Sequence, residues 1–287
     1  MVDRIMKKAG GKALETDLAR IDPQYLLDDV TEITDVPYLE DGREGHTLDV
    51  YLKKDGISKP VLIDIHGGGF ISEDKAMNRL WGHYMAKLGF VVFELNVRLC
   101  YPDVTVFDQI SDIDAAVRYV LSDLKGYEAD KDKLFIAGHS SGGVLAVSEC
   151  LLSLDEDMRK AFDIPHRDYR YKGVITDCGL MHYYKSSIAY WGMRNMVFPK
   201  GYKKDPRYPF LRFESNPAIS RLPRTALITN RKDVLKKMTY HFDSVLEKYG
   251  VTHRLFDSGS DGHTGIIFKP YTKDNRETLS KIKEYLI

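Results

Sequence analysis

Strands alternating with helices from residue 60 onward predict an α/β fold, a mostly parallel central sheet with helices on both faces. Three observations carry this. Val61-Leu62-Ile63-Asp64-Ile65 and Phe90-Val91-Val92-Phe93-Glu94-Leu95 are nearly continuous apolar runs, the texture of strands covered on both sides. Helical periodicity separates such runs. Each run ends in a loop rich in glycine or polar residues, and ligands of open α/β sheets bind at those carboxyl ends.

Taken in order, residues 1–29 place Leu14, Leu18, Ile21, Leu26 and Leu27 at three- and four-residue spacings, which predicts one or two short amphipathic helices. Asp22-Pro23 fits the start of the second. Residues 31–35 and 47–52 alternate apolar and polar side chains across a Gly-containing turn, as early antiparallel strands would. After the run at 61–65, Leu80, Trp81, Tyr84, Met85 and Leu88 line one helical face, stopping at Gly89. Residues 107–124 form a helix with Ile110, Ile113, Val117, Val120 and Leu121 on one side. Residues 134–139 are a further strand, followed at once by a helix from Val144. Later strands are predicted at 173–177, 225–229 and 252–256, with helices at 234–249 and 275–286. The interval 181–223 breaks this rhythm and holds nine aromatics, among them Tyr183, Tyr184, Trp191 and Phe198. A structureless loop of that length is improbable, so it reads as an inserted helical lid, two or three of whose aromatics face a substrate. The chain is thus read as a single domain, 1–287, with lid elements at about 1–29 and 181–223.

Composition narrows the function classes. Lys plus Arg equals Asp plus Glu at 42 each, so overall charge gives no sign of a nucleic-acid partner. Cys100, Cys150 and Cys178 form neither a metal-ligand pair nor a disulfide framework, which favours a reducing compartment. Residues 1–20 are charged throughout and lack the apolar core of a signal peptide, and no window approaches a membrane span of ~20 apolar residues. A soluble cytoplasmic protein is expected.

The chemistry centres on Gly138-His139-Ser140-Ser141-Gly142, where a strand turns sharply into a helix. Glycines flank the turn because a Cβ there would strike the neighbouring strand or helix. Ser140 is held at the tip of the sheet above a helix N-terminus. A serine hydroxyl needs a base to take its proton. Of nine histidines, His263 in the polar loop Asp261-Gly262-His263-Thr264-Gly265 is the one expected at the same sheet edge. His253 lies inside a strand, and His46, His83, His166, His182 and His241 suit surface or packing roles. A carboxylate must orient the base. Asp233 at the start of a helix is preferred over Asp177 at the end of an earlier strand, with Asp257 more distant, although helix capping alone would account for Asp233. His66-Gly67-Gly68-Gly69 offers backbone N–H groups without side-chain obstruction, and it lacks the Gly-Lys-Ser/Thr ending of a phosphate loop.

Together these motifs resemble the hormone-sensitive-lipase-like branch of the α/β-hydrolases, a group of small carboxylesterases. The resemblance runs from about His46 to the C-terminus. It rests on His66-Gly67-Gly68-Gly69-Phe70, on Gly138-His139-Ser140-Ser141-Gly142-Gly143 and on Asp261-Gly262-His263. It implies an α/β-hydrolase fold, Ser140 as nucleophile, His263 as base, Asp233 as acid, and the amides of Gly68, Gly69 and Ser141 as oxyanion donors. The chain departs from the family at Asn96-Val97-Arg98-Leu99-Cys100-Tyr101-Pro102 and in carrying His139 where aspartate is common. The His139 form also occurs in aryl formamidases and serine peptidases of this fold. The expectation is a small-molecule ester substrate with a short acyl chain and no metal or organic cofactor. An amide hydrolase such as an aryl formamidase is the alternative, an inactive binding protein is a further one, and a homodimer is allowed.

Overall fold

The computed structural model describes residues 11–12, 14–183, 188–259 and 262–287. Residues 1–10 and 13 of the first expected lid element, Tyr184 of the second, and Asp261 of the histidine motif lie outside the described residues. The strands are β1 (Thr31–Pro37), β2 (Thr47–Leu52), β3 (Lys59–Ile65), β4 (Val91–Leu95), β5 (Ala129–His139), β6 (Tyr171–Asp177), β7 (Arg224–Thr229) and β8 (His253–Asp257). They join into one sheet in the order β1-β2-β4-β3-β5-β6-β7-β8. The pairs β1·β2 and β2·β4 are antiparallel and all the others parallel, which gives the mostly parallel sheet and the antiparallel first pair that the sequence predicts.

Helices α1 (Arg79–Lys87), α2 (Val106–Ser122), α3 (Ser141–Leu154), α4 (Glu156–Phe162), α5 (Ile188–Val197), α6 (Lys236–Lys248), α7 (Gly265–Phe268) and α8 (Lys273–Leu286) surround the sheet. The strand period of two divides the core. Val61, Ile63 and Ile65 of β3 and Leu134 and Ile136 of β5 face one apolar layer with Val106, Ile110, Val144 and Leu145. Leu62, Phe135 and Ala137 face the other, with Trp81, Met85, Ile266 and Ile282. Burial on both faces is why these strands read as continuous apolar runs.

The start of β5 and the short helices α4 and α7 escape the sequence reading. β5 begins at Ala129 rather than Leu134, because its register against β3 shifts between Pro60 and Val61 and the charged Asp130 to Lys133 sit at that irregularity. α4 is short, and Asp155 caps it by accepting from the Met158 N–H. At the N-terminus, Asp22 caps the short turn Pro23–Tyr25, while Leu14, Leu18, Ile21 and Leu27 pack on the second apolar layer. The Arg20 guanidinium lies 3.5 Å from the Phe268 ring centroid, which brings this segment beside the loop that carries His263.

Candidate active site

The strand order reverses between β3 and β5, and both strands end at this point. Crevices at such reversals are where ligands enter open α/β sheets. β5 delivers Ser140 and β3 delivers the glycine loop. The turn at Ser140 is strained, with φ 52° and ψ −115°. Both flanking glycines are needed. A Cβ on Gly138 would lie 2.1 Å from the Gly142 carbonyl oxygen, and one on Gly142 would lie 2.3 Å from that of Ile65. The helix therefore starts immediately beneath the hydroxyl.

β7 and β8 bring the partners. His263 Nε2 is 2.9 Å from Ser140 Oγ, and His263 Nδ1 is 2.8 Å from Asp233 Oδ1. Asp233 also accepts from the Leu235 N–H at 2.9 Å and from the Thr229 hydroxyl at 2.9 Å. Burial alone would raise its pKa, but these hydrogen bonds, that from His263 foremost, hold the carboxyl below the ordinary carboxylate value. An ionised Asp233 fixes the tautomer with the proton on Nδ1, which leaves Nε2 to accept from the serine. The Asn230 amide, donating to the Gly262 carbonyl at 2.7 Å, anchors the histidine loop to the end of β7. Sequence reasoning missed Asn230, although a polar residue directly after a buried strand and before Asp233 is a usable signal.

The rival acids lie elsewhere. Asp177 Oδ2 takes His139 Nδ1 at 3.0 Å, and His139 Nε2 reaches Asp64 Oδ1 at 3.1 Å. Asp257 accepts the Gly259 N–H. His253 pairs with Asp243 at 3.1 Å, away from the elbow.

Facing Ser140, the glycine loop is pinned by the Ser141 hydroxyl, which accepts the Phe70 N–H at 3.1 Å. Gly68 adopts φ +91°, and a Cβ there would lie 1.9 Å from the Ser72 carbonyl oxygen. Among the described residues, the amides of Gly68, Gly69 and Ser141 donate to no protein acceptor. A cavity of about 410 Å³ lies above them, lined by Gly67 to Gly69, Ile71, Glu73, Ser140, Met193, Met196, His263 and Ile267. A larger one of about 540 Å³ near β1 and β2 is lined mainly by polar and charged residues, among them Glu32, Asp49, Lys75 and Arg79.

Among the described residues, no aromatic of the interval 181–223 lines the cavity at Ser140. Tyr183 and Phe198 stack on each other, Phe198 also packs on Tyr202 and Tyr208, and Phe213 packs on Phe242. Among the described residues, the interval 181–223 gives the cavity Met193 and Met196 instead. Rings stabilise the inserted segment by packing on one another, which leaves the flexible thioethers of α5 to meet the cavity.

Cys178, Asp233 and His263 place donor atoms within 4.8 Å of one another, a spacing that could hold a cation. Both His263 nitrogens are already engaged, however, and burial pushes the Cys178 thiol far from the thiolate that metals bind.

Comparison with known proteins agrees with this architecture. The BD-FAE family model matches residues 48–190. Esterase B of Lactobacillus rhamnosis superposes with a TM-score of 0.86 over 99% of this chain and 96% of its own, at 22% identity. The chain has the α/β-hydrolase fold of these esterases. A hyperthermophilic esterase from Pyrobaculum calidifontis shares the fold at a TM-score of 0.75 and 19% identity, covering 98% of this chain and 92% of its own. Among curated relatives, an isoprenylcysteine alpha-carbonyl methylesterase of Arabidopsis thaliana is 27% identical over 39% of this chain and 26% of its own length. A probable carboxylic ester hydrolase of Mycobacterium tuberculosis is 28% identical over 60% of the chain and 40% of its own length. The chain therefore spans less than half the length of either relative. No helix among its described residues is long and apolar enough to cross a membrane.

Proposed function

We propose that this protein is a serine carboxylesterase acting on small esters with a short acyl chain. The reading rests on one observation above the rest, the unbroken chain of hydrogen bonds from Asp233 through His263 to Ser140 at the floor of a cavity. Ser140 Oγ attacks the ester carbonyl carbon as its proton passes to His263 Nε2. The amides of Gly68, Gly69 and Ser141 receive the developing oxyanion, each donor being worth about 2.7–4 kcal/mol. Collapse breaks the acyl–oxygen bond, and His263 gives its proton to the leaving alcohol. A water then enters, loses a proton to His263 and releases the acid, which restores Ser140. Asp233 stays ionised throughout and balances the imidazolium.

Ile71, Met193, Met196 and Ile267 favour an apolar group beside the reacting carbonyl, and about 410 Å³ favours a small one. Residues 1–29 and 181–223 act as a lid, a reading supported by the packing of Arg20 on Phe268 and by the methionines of α5 at the cavity. Three buried thiols suit a reducing, cytoplasmic setting. The relatives' names point to methyl and other carboxylic esters as substrates. The test is a panel of nitrophenyl esters of increasing acyl length against a formyl-anilide. Turnover of acetate and butyrate esters above the anilide supports the proposal. Preference for the anilide would reassign the same triad to an amide hydrolase.

A further inference from the structure

Away from the cavity, three side chains from separate elements converge. His182 follows β6 in the chain, Glu214 lies in the turn Phe213–Ser215, and His241 lies on α6. Their ligand atoms lie within 4.8 Å of one another. Glu214 Oε2 is 3.3 Å from His182 Nε2 and 3.6 Å from His241 Nε2. The two imidazole rings meet nearly at right angles with centroids 3.7 Å apart.

These separations are long for hydrogen bonds, and 3.6 Å is outside the range altogether. The His241 Nε2 atom is shielded from solvent and makes no hydrogen bond among the described residues. The spacing fits a different purpose. Ligand bonds of about 2.0–2.2 Å in a tetrahedral zinc site put neighbouring ligand atoms about 3.3–3.6 Å apart. Two imidazole nitrogens and one carboxylate oxygen are also the donors that borderline divalent metals select.

We propose that His182, Glu214 and His241 form a zinc-binding site distinct from the esterase centre. Glu214 binds through Oε2 alone, because its Oε1 faces Arg212 Nη2 at 3.8 Å. The turn is held for this purpose by its backbone. The Glu214 carbonyl accepts from Lys248 Nζ and from the Tyr249 hydroxyl, each at 3.2 Å. His182 is 2% exposed at its side chain, while Glu214 and His241 are 30% and 39% exposed, so the ion enters from the solvent side and keeps water as its fourth ligand. Bound there, it fastens the segment between β6 and β7 to α6 and stabilises the fold by mass action.

Calorimetric titration with zinc chloride tests this in the wild type, His241→Ala, Glu214→Gln and His263→Ala. The last variant removes the competing cluster beside Ser140. The proposal expects His263→Ala to bind one equivalent and to melt at a higher temperature with zinc than with chelator. His241→Ala and Glu214→Gln should lose that equivalent or bind it at least ~100-fold more weakly, the upper end of what even outer-shell changes cost. Circular dichroism in chelator shows whether each variant is folded. The site is overturned if wild type takes up no zinc, if folded His241→Ala and Glu214→Gln retain the full stoichiometry and affinity, or if only His263→Ala loses binding.

Discussion

Two histidines meet carboxylates close to the elbow and acquire opposite chemistry. His263 has one carboxylate, Asp233 at Nδ1, and leaves Nε2 to the Ser140 hydroxyl. Its side chain is 31% exposed. His139 immediately precedes Ser140 in the chain, is fully buried, and is bonded by Asp177 at one ring nitrogen and Asp64 at the other. Burial works against a charge on His139, but the two carboxylates prevail and push its pKa up to about 10. Both of its ring nitrogens are committed to carboxylates, so neither is left to accept a proton from a neighbour. Trp81 packs edge-on against it at 4.8 Å. The contrast separates a histidine that keeps one nitrogen for a hydroxyl from one that keeps none. The deciding factors are the number of carboxylates and whether the second nitrogen is left for the nucleophile.

The largest test of that contrast swaps the acids. Asp233→Asn should lower kcat by about 10⁴-fold, since the amide favours the wrong tautomer of the base. Asp177→Asn should change kcat by less than about tenfold in protein that remains folded, because its partner does not touch the nucleophile. Steady-state kinetics on a nitrophenyl ester measure both, and the reverse ranking would move the acid to β6.

Next comes His139 itself. Gln in its place can hydrogen-bond but cannot neutralise Asp64 and Asp177, so His139→Gln should lose about 3–5 kcal/mol in urea unfolding. The pH dependence has a definite sign. The folded-state pKa is raised from 6.5 to about 10, so the stabilisation is complete below the lower value and disappears as pH rises through the upper one. Wild-type stability should therefore decline between these pH values, and the decline should be shallower in His139→Gln. Parallel profiles in the two proteins would mean that His139 is neutral.

A smaller effect concerns the loop facing Ser140. Gly68→Ala meets the Ser72 carbonyl at a backbone φ that L-residues avoid, so the donors must shift. The expected cost is about 2.7–4 kcal/mol in kcat/KM. Loss of binding with kcat intact would assign the loop to substrate binding instead.

What the sequence made legible follows the same physics. β3, β4 and the elbow strand were readable because burial on both faces leaves few choices except apolar residues. The meeting of Ser140, His263 and Asp233 at one sheet edge was readable because chain order confines them to loops after strands. The partnership of His139 with Asp64 and Asp177 joins residues 75 and 38 positions apart, and no local pattern encodes it. The start of β5 was hidden by charged residues at the register shift, and the cavity wall by aromatics that turned toward one another. The gathering of His182, Glu214 and His241 likewise exists only after folding.

The role proposed for Ser140 is that of a nucleophile activated by His263. Intact-mass measurement after treatment with an organophosphonate ester tests it most directly. Wild type should gain one phosphonyl adduct, mapped to Ser140 by peptide sequencing, and Ser140→Ala should gain none. Folded wild type that stays unlabelled, or an adduct that persists in Ser140→Ala, would contradict it.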